Sequence, residues 1–141
     1  MQIKEIKTHE EVVEVSYFLT HFYDQLEEKN YTSNLLKMME NGYKMVAVFE
    51  KQSLDFIGFC GFRITEKLQH GKTIEIEDFI IDPKKSANKI GKTLLQFIFK
   101  QAATFGCKNI ISNLATNRIE SQKIFTGEKF ILDGFLFRKT F

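Results

Sequence analysis

The stretch Thr73-Ile74-Glu75-Ile76-Glu77-Asp78-Phe79-Ile80-Ile81-Asp82-Pro83-Lys84-Lys85-Ser86-Ala87-Asn88-Lys89-Ile90-Gly91-Lys92-Thr93-Leu94-Leu95 decides the architecture. Residues 73–81 are dominated by isoleucine, threonine and phenylalanine, which favour a pleated strand. Asp82-Pro83 stops it, because proline offers no N–H to a ladder. Residues 84–89 form a polar turn. From about residue 89 the period changes. Ile90, Leu94, Phe97, Ile98, Ala102 and Phe105 share one helical face, which predicts a helix to about 105 with Gly106 just beyond its end. Residues 109–114 return to strand composition. Strand, crossover helix and strand predict a βαβ unit with parallel strands.

Upstream, the pattern predicts three antiparallel strands. Residues 43–50, 56–65 and 73–81 are rich in strand formers, separated by a turn at Gln52 to Asp55 and a polar turn over 66–72. Gly58 and Gly61 lie inside the middle strand. Before this meander, Ile3 and Ile6 mark a short first strand. Thr8 and Glu11 have capping-box spacing, and Val12, Val15, Leu19, Phe22 and Leu26 predict a helix from about 9 to 27. A shorter helix carries Leu35, Leu36 and Met39, with Thr32 or Ser33 as its cap and Asn41-Gly42 as its end. Downstream, a short helix is expected over about 118–126 and a hairpin over 130–140 turning at Asp133-Gly134. There are no repeats or linkers, so one domain over residues 1–141 is expected.

Composition narrows the function. The net charge is +2, from 20 basic and 18 acidic residues, which does not suggest a nucleic-acid partner. No run of about 18 apolar residues predicts a membrane span, and the N-terminus lacks a secretory leader's apolar stretch. Cys60 and Cys107 lie far apart in apolar contexts and read as reduced core thiols. His9, His21 and His70 are scattered, so no metal site is expected. The cytoplasm is the expected location.

The turn before the long helix is where chemistry concentrates. A helix N-terminus presents unpaired N–H groups and the positive end of a dipole to an anion. Lys84, Lys85, Lys89 and Lys92 add charge around it. That combination makes a diphosphate cradle; the competing reading is a solvated loop and first turn.

The order of elements resembles the GNAT superfamily of acetyl-CoA-dependent N-acetyltransferases across nearly the whole chain. The resemblance implies an α/β domain with a mixed, mostly antiparallel sheet and a βαβ unit at the cofactor site. The family's loop motif is Arg or Gln, two residues, Gly, one residue, then Gly or Ala. It aligns with Ser86-Ala87-Asn88-Lys89-Ile90-Gly91, followed by Lys92. Only Gly91 matches. Ser86 replaces the Arg or Gln, Lys89 replaces the first glycine, and Asn88, which tolerates left-handed geometry, offers partial compensation. In a second signature Asn117 sits one place before the usual asparagine, and Phe125 stands where many relatives have tyrosine. A closer subset shares acidic pairs on the fourth strand, here Glu77-Asp78, and Gly106-Cys107 after the third helix.

The resemblance implies acetyl transfer from acetyl-CoA to a small-molecule, peptide or protein amine by direct attack. Glu77 and Glu75 are the candidate general bases. They alternate along one strand and face one side unless a bulge re-aims one. The backbone of Phe79, Ile80 and Ile81 is expected to receive the thioester, with Ser86 to Lys92, Asn117 and Phe125 around the cofactor. Phe125 cannot serve as the usual acid; a thiolate with a pKa near that of cysteine, about 8.5, leaves without one. Tyr17, Tyr23, Tyr31 and Tyr43 lie in segments lining the substrate side or the meander. The acidic run Asp24-Gln25-Leu26-Glu27-Glu28 reads as either an attractor for a cationic amine or a solvated helix end. Many family members dimerise, so a homodimer is consistent with the resemblance. The departures at 86, 89 and 125 leave a second reading, a degenerate domain that binds CoA weakly or not at all and acts as a sensor or interaction module.

Overall fold

The computed structural model describes residues 1–23 and 28–141, with the side chains of residues 28 and 29 excepted. The element order is β1 (Gln2–Ile6), α1 (His9–Leu19), α2 (Glu28–Glu40), β2 (Lys44–Phe49), β3 (Phe56–Lys67), β4 (Gly71–Ile81), α3 (Ala87–Phe105), β5 (Asn109–Ser112) and α4 (Ile119–Gly127). The strands form one sheet in the order β1-β2-β3-β4-β5. The first three pairings are antiparallel and the last, β4 with β5, is parallel. This is the mixed sheet and βαβ unit expected from the central stretch.

Each sheet face buries a separate apolar layer. On one side Cys60, Phe62, Ile74, Ile76 and Phe79 pack against Ile90, Leu94, Leu95 and Ile98 of α3 and Ile124 and Phe125 of α4. On the other, Tyr43, Met45, Ala47, Phe59 and Ile80 pack against Val12, Val15 and Leu19 of α1 and Leu35 of α2. β4 contributes to both. Ile74, Ile76 and Phe79 face α3, whereas Ile80 faces α1 and α2. The switch in parity between Ile76 and Phe79 is a bulge. Gly61 registers with Asp78 and Phe62 with Ile76, leaving Glu77 as the extra residue.

The local signals explain most boundaries. Thr8 and Glu11 form the expected capping box, and the N–H groups of Thr8 and Lys7 donate to the Glu11 carboxylate at 2.9 and 3.0 Å. These bonds hold the Glu11 pKa down to about 2. Gly106 ends α3 in the left-handed conformation at φ 69°.

Four expectations are corrected. α1 ends at Leu19 rather than about 27: the Thr20 hydroxyl donates to Tyr17 O at 2.7 Å as the chain turns off, and residues 24–27 lie outside the described residues. The proposed amine-attracting run Asp24 to Glu28 falls largely there. α2 begins at Glu28, so Thr32 is inside it rather than its cap. The Thr32 hydroxyl instead donates to Ser16 Oγ at 2.9 Å and ties the two helices together. α3 starts at Ala87, two residues earlier than the apolar period indicated, because its first turn is polar. Residues 130–140 form no hairpin. The tight turn that Asp-Gly favours needs positive φ at both central residues, and neither Asp133 nor Gly134 has it.

Candidate active site

β4 and β5 pair only from Thr73–Asn109 to Ile76–Ser112. Beyond Ile76 the strands part. Residues 78–81 keep their ladder with β3 but, among the described residues, pair with no strand on the other side. Every second peptide along this edge therefore directs its polar groups into the gap. Phe79, Ile80 and Ile81 lie there, where the sequence placed the thioester. The Phe79 and Ile80 side chains are buried, so what this edge offers is backbone.

The gap leads to the N-terminus of α3. The Asp82 carboxylate accepts from Lys84 N at 2.9 Å, and Lys85 N donates to Asp82 O at 3.0 Å, closing the turn after Pro83. Ser86 is the N-cap residue, but its hydroxyl makes no cap bond, and the first turn carries no acidic residue. The first intrahelical bond described at this end runs from Ile90 N to Ser86 O. The N–H groups of Ala87, Asn88 and Lys89 are thus presented outward, beside the exposed Lys84, Lys89 and Lys92. Lys85 is occupied by Glu50, at 2.5 Å. These donors and cations fit a diphosphate.

Several loop residues act differently from the sequence expectation. Asn88 is helical and does not take up left-handed geometry. Ile90 and Gly91 are buried. A Cβ at 91 would stand 2.7 Å from Ile124 Cδ1 and 3.1 Å from Ile81 Cδ1, so this glycine lets α4 and the end of β4 close on α3. Its role in the fold is packing. Asn117 is exposed in the turn before α4. Phe125 is a core residue, edge-on to Phe79 at 4.9 Å and tilted against Phe130 at 4.7 Å.

On the α1/α2 side of the bulge lies a cavity of about 160 Å³ whose lining includes Tyr23, Tyr31, Tyr43, Met38 and Asp78. The Asp78 carboxylate accepts from Tyr43 Oη at 2.5 Å and from Tyr23 Oη at 2.9 Å. Tyr31 stacks on Tyr23 and donates its hydroxyl to the Tyr23 carbonyl. Burial, reinforced by the Asp78 charge, pushes the Tyr43 and Tyr23 pKa values well up, so both phenols remain donors. The charge of Arg118, at the start of α4, acts on Tyr23 in the opposite sense. Gly61 makes the Tyr43 bond possible: a Cβ there would lie 1.6 Å from the Tyr43 oxygen.

The two glutamates singled out by sequence lie on β4 outside the lining of this cavity, each in an ion pair. Glu75 holds Lys67 at 3.0 Å and Glu77 holds Arg63 at 2.9 Å. Arg63 also donates to Asn41 O and lies over the Tyr43 ring. Glu75, Glu77 and Asp78 thus lie together in the middle of β4. Asp78 is the one that lines the cavity. Its signal was in the sequence as the break in apolar parity between Ile76 and Phe79. Tyr23 and Tyr43 carried no motif and are brought to Asp78 by the fold alone. Among the described residues no group of histidine, cysteine, aspartate or glutamate is arranged to hold a metal ion, and no helix is long and apolar enough to cross a membrane.

The profile of the acetyltransferase (GNAT) family matches residues 7–126. The chain belongs to the GNAT acetyltransferase family. No curated protein matches it in sequence. Solved structures show the same fold at low identity. A ribosomal-protein-alanine N-acetyltransferase from Brucella melitensis biovar Abortus superposes with a TM-score of 0.82 at 12% identity, over 100% of both chains. The aminoglycoside N-acetyltransferase AAC(6')-Iy in complex with CoA gives 0.82 at 12%, over 99% of this chain and 93% of the other. Glucosamine-6-phosphate N-acetyltransferase from Arabidopsis thaliana gives 0.69 at 17%, over 100% and 99%. Membership of a GNAT acetyltransferase family supports acetyl transfer as the general activity.

Proposed function

We propose that this chain is an acetyl-CoA-dependent N-acetyltransferase whose general base is Asp78 and whose acceptor is a primary amine of a small molecule, peptide or protein. The observation that carries this reading is the placement of Asp78. It lines an aromatic cavity on one side of a bulge whose other edge opens into the gap between β4 and β5. An amine entering the cavity meets the Asp78 carboxylate, one residue before the free edge of β4 at 79–81.

Acetyl-CoA supplies an activated acyl thioester. The outward N–H groups of residues 87–89, with Lys84, Lys89 and Lys92, hold its diphosphate. The free edge of β4 over 79–81 offers peptide groups to its arm and to the thioester oxygen. Asp78 attracts the amine as its ammonium form and takes the proton that the nitrogen must lose before or during attack. Tyr23 and Tyr43 fix the carboxylate by donating to it. Glu77, one residue away and exposed at the bulge, is the second candidate for that proton, and Glu75 the third. Phe125 supplies no proton, so the departing thiolate takes one from solvent. The free cysteines, Cys60 and Cys107, fit a reducing, cytoplasmic setting.

The burial of Phe125 at the family's tyrosine position favours one other reading, a CoA-binding domain without turnover. Two measurements separate these. Acetyl-CoA at 100 times its dissociation constant should stabilise the fold by about 2.7 kcal/mol; absence of any thermal shift at millimolar acetyl-CoA removes both readings. Amine-dependent thiol release across a panel of primary amines supports the transferase, and binding without release supports the second reading.

A further inference from the structure

The cavity beneath α1 and α2 is an apolar room with one charge in it. Leu35, Met38 and Phe59 make its walls together with the phenols, and Asp78 is the single charged group among the described residues that line it. Asn34, on α2, is the exposed member of that lining and marks the mouth. The phenol protons are already committed. Tyr23 and Tyr43 donate to Asp78, and Tyr31 donates to the Tyr23 carbonyl. Little is left for the hydroxyls of a substrate, and a hydroxyl buried without a partner costs free energy.

Charge and size narrow the occupant further. A carboxylate has about four acceptor sites; the two phenols take one each, which leaves room for an ammonium. Aromatic faces add cation–π attraction, and the Tyr23 and Tyr31 rings lie nearly parallel, 17° apart with centroids at 6.5 Å. No lysine, arginine or histidine is among the described lining residues. The cations that act on the phenols stand outside it. Arg63 lies over the Tyr43 ring and is held by Glu77, and Arg118 is at the start of α4. A carboxylate or phosphate brought into the cavity would face Asp78 without a partner, and an unpaired charge is costly to bury. An apolar cavity of about 150 Å³ takes up one benzene. About 160 Å³ therefore suits a branched alkyl group or a single ring.

We propose that this cavity selects a compact primary monoamine with an apolar body, a short branched alkylamine or an amine bearing one ring, and excludes amino acids and amino sugars. The ammonium seats on Asp78, and the body lies against Leu35, Met38 and Phe59. The inference rests on the acetyl-transfer reading for what becomes of the amine, and on the cavity alone for which amine binds. Transfer forms the N–C bond and breaks the thioester C–S bond. Both protons that the ammonium loses leave through Asp78 to solvent, and the thiolate takes one back. The product amide is neutral, so it loses the attraction of Asp78 and departs.

3-Methylbutylamine and leucine test it, because they share a carbon skeleton and leucine adds only a carboxylate. Isothermal titration of each into the full chain, with and without coenzyme A, reads binding without turnover. 3-Methylbutylamine should bind about 100-fold more tightly than leucine or glucosamine, and Asp78→Asn should abolish that preference. Met38→Ala widens the cavity without touching Asp78 and keeps the test decisive should Asp78→Asn not fold. It should raise the affinity of 4-phenylbutylamine relative to 3-methylbutylamine by about ten-fold. The proposal is overturned if 3-methylbutylamine does not bind, if leucine binds within a few-fold of it, or if a folded Met38→Ala leaves the size preference unchanged. Thiol release from acetyl-CoA keeps the two readings apart. Selective binding of 3-methylbutylamine with no release removes acetyl transfer and upholds the cavity's selectivity. Release with leucine or glucosamine but not with 3-methylbutylamine upholds transfer and overturns the selectivity.

Discussion

The cradle before α3 and the cavity beneath α1 and α2 meet at β4, but they work with different atoms. The cradle offers peptide N–H groups and exposed lysines, all near the surface. The cavity offers one carboxylate and a set of phenols, placed by four separate elements or their ends. A site made of backbone depends on chain path, so many side chains can stand there. A site made of side chains depends on each of them. Substitution should therefore weigh far more heavily in the cavity than in the loop.

The largest effect is expected at Asp78. Asp78→Asn should lower kcat/KM by about 10²–10⁴-fold, the usual contribution of a positioned base, while leaving acetyl-CoA affinity within a few-fold. Glu77→Gln and Glu75→Gln should cost less than about 10-fold, since their carboxylates are engaged by Arg63 and Lys67. Steady-state rates with a fixed amine and titration of acetyl-CoA check both parts. A larger loss in Glu77→Gln than in Asp78→Asn would move the base to the bulge residue itself.

Next comes Gly61→Ala. The added methyl must displace the Tyr43 hydroxyl, so Tyr43 loses Asp78 and the cavity changes shape. Overpacking of this kind costs about 1–3 kcal/mol, measurable by denaturant unfolding, with activity lost in parallel. The same variant sharpens a pH prediction. The Tyr43 and Tyr23 phenols hold their protons more tightly in the folded chain than the ordinary value of 10.0. An unfolded chain releases those protons first, so stability is intact below pH 10 and falls as pH rises above it. Absorbance at alkaline pH should show Tyr23 and Tyr43 ionising only with unfolding. In Gly61→Ala that protected group should shrink.

The contrast also explains what could be read before the fold was known. Order of elements was legible because each rests on a local signal. The capping box at Thr8 and Glu11, the stop at Pro83 and the glycine at 106 all fall where they were expected. The junction of β4 with α3 was legible for the same reason. Gly91 was read as the surviving glycine of the loop motif, and the fold also packs it against Ile124 and Ile81. The cavity was not legible. Tyr23 and Asp78 are 55 residues apart, and Tyr43 and Asp78 are 35 apart; no spacing rule joins them. The tail failed for an opposite reason. Asp133-Gly134 is a sound hairpin signal, but a lone hairpin is marginal without a sheet to join, and residues 130–141 pair with no strand among the described residues.

The smallest effect should be at Lys89, the residue that departs most from the family's loop. If the cradle binds through backbone, Lys89 adds only an exposed point charge. Pairs of that kind contribute about 0.2–1 kcal/mol and are screened by salt. Lys89→Ala should therefore weaken acetyl-CoA binding by no more than about five-fold, and the difference should shrink between low and physiological ionic strength. Lys89→Gly, which restores the family residue, removes the same charge and adds flexibility in the first turn, where glycine costs about 1 kcal/mol relative to alanine. It should bind no better than Lys89→Ala. Isothermal titration of the three proteins at two salt concentrations decides the matter. A gain of ten-fold or more in Lys89→Gly over Lys89→Ala would mean that any side chain at 89 obstructs the diphosphate, and the cradle would then be as dependent on residue identity as the cavity.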